Sequence, residues 1–235
     1  MFVSRSPSGM QSDSSAFNRS YAVDGQLGLG QTGTISGFAA DTDSPGSQTG
    51  THAYSAIANY ASERYRFSVG GSEVGSNFNP EVGFYARRGY RRVDSQVRAT
   101  FRPANSRGIH EVEPHVSHYT VFDVDTGFQE TQYTHFDNHV EWRNGYRVST
   151  GVNLTTEGVF EPFEIYPEID VPLGTYNQTE GIFRFNTNRG AAYGFEVSSI
   201  AGGFFGGRRF QVRPQVNMRI GDTFNAEVGL DRNDI

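Results

Sequence analysis

The sequence predicts an all-β chain, an antiparallel up-and-down transmembrane β-barrel in partial form with about ten to twelve strands. Three observations carry this. From Tyr21 onward apolar and polar residues alternate with period two, turn residues interrupt the alternation roughly every ten positions, and many runs reach about 9–11 residues, the length a tilted strand needs to cross a hydrocarbon layer.

Composition narrows the classes. The chain has 235 residues, of which 14% are aromatic, too many for a disordered segment. All 20 basic residues are Arg, and Leu occurs only at 27, 29, 154, 173 and 230, whereas helix-rich domains lean on Leu, Lys and Ala. With no Cys there is no disulfide framework, cysteine metal site or thiol nucleophile. No apolar run approaches the roughly 20 residues of a membrane-spanning helix, so any crossing is made by strands. A net charge of −6 excludes nucleic acid as a general partner. The charge is also blocked: residues 61–110 hold nine Arg against four acids, and 111–183 hold two Arg against thirteen acids.

The strands follow in order. Tyr54, Ala56, Ala58 and Tyr60 share a face, and Tyr65, Phe67 and Val69 oppose Arg64, Arg66 and Ser68. Val93, Val97 and Phe101 alternate with Arg92, Asp94 and Arg98; after the turn Asn105-Ser106-Arg107-Gly108, Val112, Val116 and Phe122 oppose Glu111, Glu113 and His115. Phe136, Val140 and Trp142 oppose His135, Asp137 and His139. Asn144-Gly145 signals a two-residue hairpin turn, because both residue types tolerate positive φ. Tyr146 to Leu154 continues the pattern, as do Phe210 to Ile220 and, past Gly221-Asp222, Phe224 to Leu230.

The polar face decides between membrane and water. A lumen lined by Arg, Glu, Gln and Asn, with aromatics near the ends of the apolar face, fits a barrel in lipid, and closure removes edges that lipid cannot hydrate. A soluble β-sandwich or solenoid also alternates, and is the competing architecture.

Two irregular stretches are candidate sites. In 71–92 the doublets Arg87-Arg88 and Arg91-Arg92 flank Gly89-Tyr90; clustered guanidinium groups grip carboxylate, phosphate or sulfate bidentately, or pair with the acidic central block. Residues 155–176, with three Pro and five acids, read as a long acidic aromatic loop. Its Glu157, Glu161, Glu164 and Asp170 offer carboxylates and Tyr166 offers a stacking ring. Among the six His, His135 and His139 share a face with Asp137, whereas His115 and His118 face opposite sides; polar lumen lining is the reading adopted, with no metal and no cofactor assigned. No G-x-S-x-G elbow, H-E-x-x-H, P-loop or dinucleotide fingerprint occurs, so no catalytic residue is assigned.

Several motifs in order resemble a bacterial family of unknown function. They are Asn18-Arg19-Ser20-Tyr21-Ala22-Val23-Asp24-Gly25, Asn77-Phe78-Asn79-Pro80-Glu81-Val82-Gly83-Phe84 with Arg88-Gly89-Tyr90-Arg91-Arg92, and Gly127-Phe128-Gln129-Glu130-Thr131. Gly151-Val152-Asn153-Leu154-Thr155, Glu161-Pro162-Phe163-Glu164-Ile165 and Gly202-Gly203-Phe204-Phe205-Gly206-Gly207 complete the set. The resemblance implies an outer-membrane β-barrel domain, commonly C-terminal to a family-9-like carbohydrate-binding module. It implies membrane lipid and carbohydrate as partners, and uptake or surface handling of a polymer in the bacterial outer membrane. A glycan hydrolase and a soluble binding sandwich are the alternatives. Residues 1–235 are expected to be one barrel domain truncated at both ends, since Met1–Arg5 lacks an export signal and Arg232-Asn233-Asp234-Ile235 lacks a terminal aromatic strand.

Overall fold

Sixteen strands and no helix make up the described chain. The computed structural model describes residues 2–5, 17–46, 49–81, 86–104, 106–188 and 190–235; Val82, Gly83 and Phe84 of the second motif, Tyr85 after it and Asn105 of the turn after Phe101 lie outside them. The strands are β1 (Phe2–Arg5), β2 (Asn18–Leu29), β3 (Gly33–Asp43), β4 (His52–Ala61), β5 (Tyr65–Val74), β6 (Tyr90–Ala99), β7 (Ile109–Asp123) and β8 (Gln129–Trp142). They continue with β9 (Arg147–Val159), β10 (Phe163–Tyr166), β11 (Ile169–Val171), β12 (Gly174–Asn186), β13 (Tyr193–Phe204), β14 (Gly207–Ile220), β15 (Phe224–Gly229) and β16 (Arg232–Asp234).

Fourteen strands form one antiparallel up-and-down sheet. The ladder runs β1 to β9, passes to β12 and ends at β15, with β16 pairing β14; β10 and β11 form a separate hairpin. The sheet thus exceeds the predicted ten to twelve strands, because the four-residue β1 and the three-residue β16 are too short to show alternation of their own. Between β9 and β12 thirteen consecutive pairs run from Gly174–Val159 to Asn186–Arg147 without a shift. Strands β2 to β9 have 10–15 residues. Ten residues already span about 33 Å, enough to cross a hydrocarbon core of about 30 Å with modest tilt.

The chain divides into two compact units. The first comprises 1–62, 66–95 and 119–131. On its strands Tyr21, Val23, Leu27, Leu29, Tyr54, Tyr60, Phe67 and Val69 are all more than 40% exposed. The opposite face carries a small cluster in which Phe78, from the segment after β5, packs on Ala53 and Val74 with Phe38, Ala40 and Tyr90 around it. Asn18 ties that segment down by donating to the Asn79 carbonyl at 2.7 Å.

The second unit comprises 63–65, 96–118 and 132–235. Its apolar face, including Val116, Phe136, Val152, Phe183, Phe195, Phe210 and Val216, is 36–50% exposed. Among the described residues of the whole chain six hydrophobic side chains are buried: Ala53, Val74, Phe78, Val121, Val159 and Val171. A sandwich of this length would bury the inward face of nearly every strand against a second sheet. One layer with its apolar residues outward excludes that alternative.

Two local expectations are corrected. Residues 155–176 are not a structureless loop: Thr155–Val159 complete β9, β10 and β11 form a hairpin, and β12 starts at Gly174. Asn144-Gly145 is not a two-residue turn with two positive φ angles. Trp142 N donates to the Tyr146 carbonyl and Gly145 N to the Trp142 carbonyl, and of this pair Gly145 alone has positive φ, giving a three-residue loop closed by a left-handed glycine. The two-residue turn occurs instead at Phe205-Gly206, with φ of 44° and 85° between paired Phe204 and Gly207. Phe205 holds this costly conformation because its ring packs on Phe163 and Tyr176 and its N–H donates to Gln178 Oε1 at 2.7 Å.

Candidate functional site

Alternation on β8 sets Tyr133, His135, Asp137 and His139 on one face, and the flanking strands β7 and β9 bring His115, Ser149 and Asn153 to the same face. Of these, His115, His135, Asp137, His139 and Ser149 line a cavity of 390 Å³ in the second unit, shared with Ile182, Arg184, Ser198, Ile200, Gln211 and Arg213 of β12 to β14. The register follows from the ladders, which pair Arg184 with Ser149 and with Ser198, and Ser198 with Arg213.

The cavity's electrostatics centre on Asp137, whose side chain is 6% exposed. Nε2 of His135 and Nε2 of His139 each lie 3.6 Å from its Oδ2, and its Oδ1 has no hydrogen-bond partner. The His115 ring stacks 5.0 Å from that of His139 and lies tilted 5.1 Å from that of His135. Asn153 Oδ1 accepts from Nδ1 of His135 at 2.7 Å and from the Tyr133 hydroxyl at 2.9 Å, while Nδ1 of His139 is hydrogen-bonded to Ser149 Oγ. Sequence reasoning grouped His135, Asp137 and His139 correctly but left out His115, which belongs with them because β7 neighbours β8. Its polar-face position was legible; the strand register that brings it near was not.

The four predicted Arg are dispersed. Arg91 and Arg92 point to opposite faces of β6, as consecutive strand residues must. Arg87 pairs with Glu130 and lies over the Tyr90 ring, Arg88 donates to Asn79 Oδ1 at 2.7 Å, and Arg92 pairs with Asp94 while covering Tyr119 at 4.4 Å. Arg91 bonds Glu73, whose other oxygen meets His52 at 2.9 Å. Arg87 therefore reaches the acidic central block, whereas Arg91 and Arg92 pair outside it.

The hairpin gathers the other candidates. Glu164 and Asp170 stand directly opposite one another on β10 and β11, and Glu164 accepts from the Glu168 N–H at 2.7 Å. Tyr166 is 63% exposed and Glu161 is exposed, whereas Glu157 lies apart, half-buried within β9 opposite Tyr176.

No family model and no curated protein matches this sequence. Its fold is similar to that of the crystal structure of Acinetobacter baumannii OccAB3, with a TM-score of 0.56 and 10% identity over 93% of this chain and 62% of that chain. The fold is that of an antiparallel up-and-down β-barrel in partial form, its sheet not closed. The chain spans less than two thirds of that neighbour's length, and at this identity the likeness concerns fold alone.

Proposed function

We propose that this chain forms wall strands of a bacterial outer-membrane β-barrel whose Arg-, Glu- and His-bearing face surrounds water and passes polar solutes. The observation that carries the reading is the pairing of an exposed apolar face with an ion-paired polar face on single-layer strands of 10–15 residues. Lipid takes the place of the missing second sheet, and the hydrogen-bond ladder between neighbouring strands satisfies the backbone within the wall. The fold likeness to OccAB3 supports the barrel-wall reading.

The test is reconstitution of the full chain into planar lipid bilayers after refolding in detergent. Detergent-dependent solubility and discrete conductance steps are expected. A monodisperse protein in plain buffer would overturn the membrane reading, and insertion without conductance would overturn the channel reading.

Carbohydrate as the solute rests on the sequence resemblance, with support from the exposed hairpin, where Tyr166 offers a ring for sugar stacking beside Glu161, Glu164 and Asp170. Affinity electrophoresis through polysaccharide gels checks it: retardation that Tyr166→Ala relieves is expected, and unaltered mobility in every glycan counts against it.

A further inference from the structure

We propose that His115, Asp137 and His139 bind one divalent first-row transition-metal ion, of the zinc class, on the polar face of the second unit, with His135 beside them at Asp137. One ligand atom from each of His115, Asp137 and His139 lies within 4.8 Å of the other two. The 3.6 Å separations from Asp137 Oδ2 to Nε2 of His135 and of His139 are too long for hydrogen bonds, whose N···O range ends near about 3.2 Å. They match a coordination edge: two ligands about 2.0–2.2 Å from one ion, at tetrahedral to trigonal angles, sit roughly 3.3–3.8 Å apart.

Proton placement points the same way. An amide oxygen only accepts, so Nδ1 of His135 carries the hydrogen donated to Asn153 Oδ1, and the lone pair of the neutral ring is left on Nε2. That lone pair faces the Asp137 carboxylate. The bond from Nδ1 of His139 to Ser149 Oγ turns its Nε2 toward the same oxygen. With Nδ1 as the donor in both neutral rings, the two Nε2 lone pairs face an anionic oxygen and repel it unless a cation lies between them. A metal-bound imidazole ordinarily gives its other nitrogen to a neighbouring oxygen, which fixes the ring, and Ser149 is placed for that role on His139.

Two further atoms lack partners. Nδ1 of His115 is unsatisfied in a residue only 8% exposed, and Oδ1 of Asp137 is unsatisfied on a side chain 6% exposed. Burying such groups without a hydrogen bond is costly, and coordination to a cation removes the cost. The imidazole-rich set selects zinc, copper, nickel or iron over magnesium and calcium, which take oxygen ligands.

The test uses the full chain refolded in detergent, stripped with chelator and titrated with Co(II), whose visible absorption reports the ligand set, followed by competition with Zn(II) and Mg(II). One Co(II) per chain is expected, displaced by Zn(II) and not by Mg(II). His115→Ala and His139→Ala each weaken binding about 100-fold, and Ser149→Ala weakens it roughly 10–100-fold. His118→Ala leaves it unchanged, since His118 lies on the other face and hydrogen-bonds Thr134. Circular dichroism confirms that each variant folds. Should an alanine variant lose its sheet signal, the near-isosteric His115→Asn and Asp137→Asn replace it, with the same loss expected. Absence of a Co(II) signal in the folded wild type, or an unchanged titration in the folded His115/His139 variants, overturns the proposal.

Discussion

Two buried carboxylates, one in each unit, are both approached by imidazole yet are satisfied differently. Glu73, 8% exposed at its side chain, is hydrogen-bonded by Arg91 and His52 at the end of the apolar-face pattern beside Tyr54. Asp137, 6% exposed, has imidazoles at 3.6 Å and an orphaned oxygen on the polar face. The first is complete as built, with a guanidinium supplying charge and donors together. The second is complete only when something cationic enters. Burial of an acid therefore does not by itself mark a site; an unsatisfied buried acid does.

The comparison presumes that Asp137 faces water while its neighbour faces lipid, and the largest expected effect tests that premise. Phe136→Arg, one residue away and 45% exposed on the apolar face, should cost about 2–4 kcal/mol of stability in lipid, measured by denaturant titration in vesicles. Little loss would mean that this face does not meet acyl chains.

Next, Arg91→Ala should cost about 1–3 kcal/mol, because it removes the guanidinium and leaves Glu73 with His52 and Tyr54 as partners. Its own 57% exposure keeps the loss below that of a fully buried pair. Asp137→Asn should behave in the opposite sense in chelator, leaving stability within about 1 kcal/mol of wild type or raising it, since no donor is lost and a buried charge is removed. A loss as large as that of Arg91→Ala would make Asp137 an ordinary structural carboxylate.

The smallest effect is expected at Arg92. Its pair with Asp94 is exposed, at 43% and 37%, and even with the Tyr119 ring beneath it Arg92→Ala should cost under about 1 kcal/mol, read from the same unfolding midpoints.

Much of the wall was legible from residue order alone. Tyr54 to Tyr60, Phe136 to Trp142 and Phe210 to Ile220 fall on strands with the faces that alternation assigns, because a strand's side chains have a period of two whatever surrounds them. The acidic stretch 155–176 misled for a local reason. Pro162, Pro167 and Pro172 interrupt any long strand, yet each falls outside the short strands β10 and β11, where no ladder N–H is required. Phe205-Gly206 carried no turn signal either, since aromatics rarely take positive φ; packing against Phe163 and Tyr176 supplies what the residue type lacks.

From the sequence alone came strand character, strand length and the polarity of each face, all properties of short-range chemistry and period. Tertiary structure decided which polar-face residues meet. His115 stands more than twenty positions from His139, and only hydrogen-bond pairing of neighbouring strands places their rings 5.0 Å apart. That pairing is a long-range choice of register, which alternation leaves free in steps of two residues.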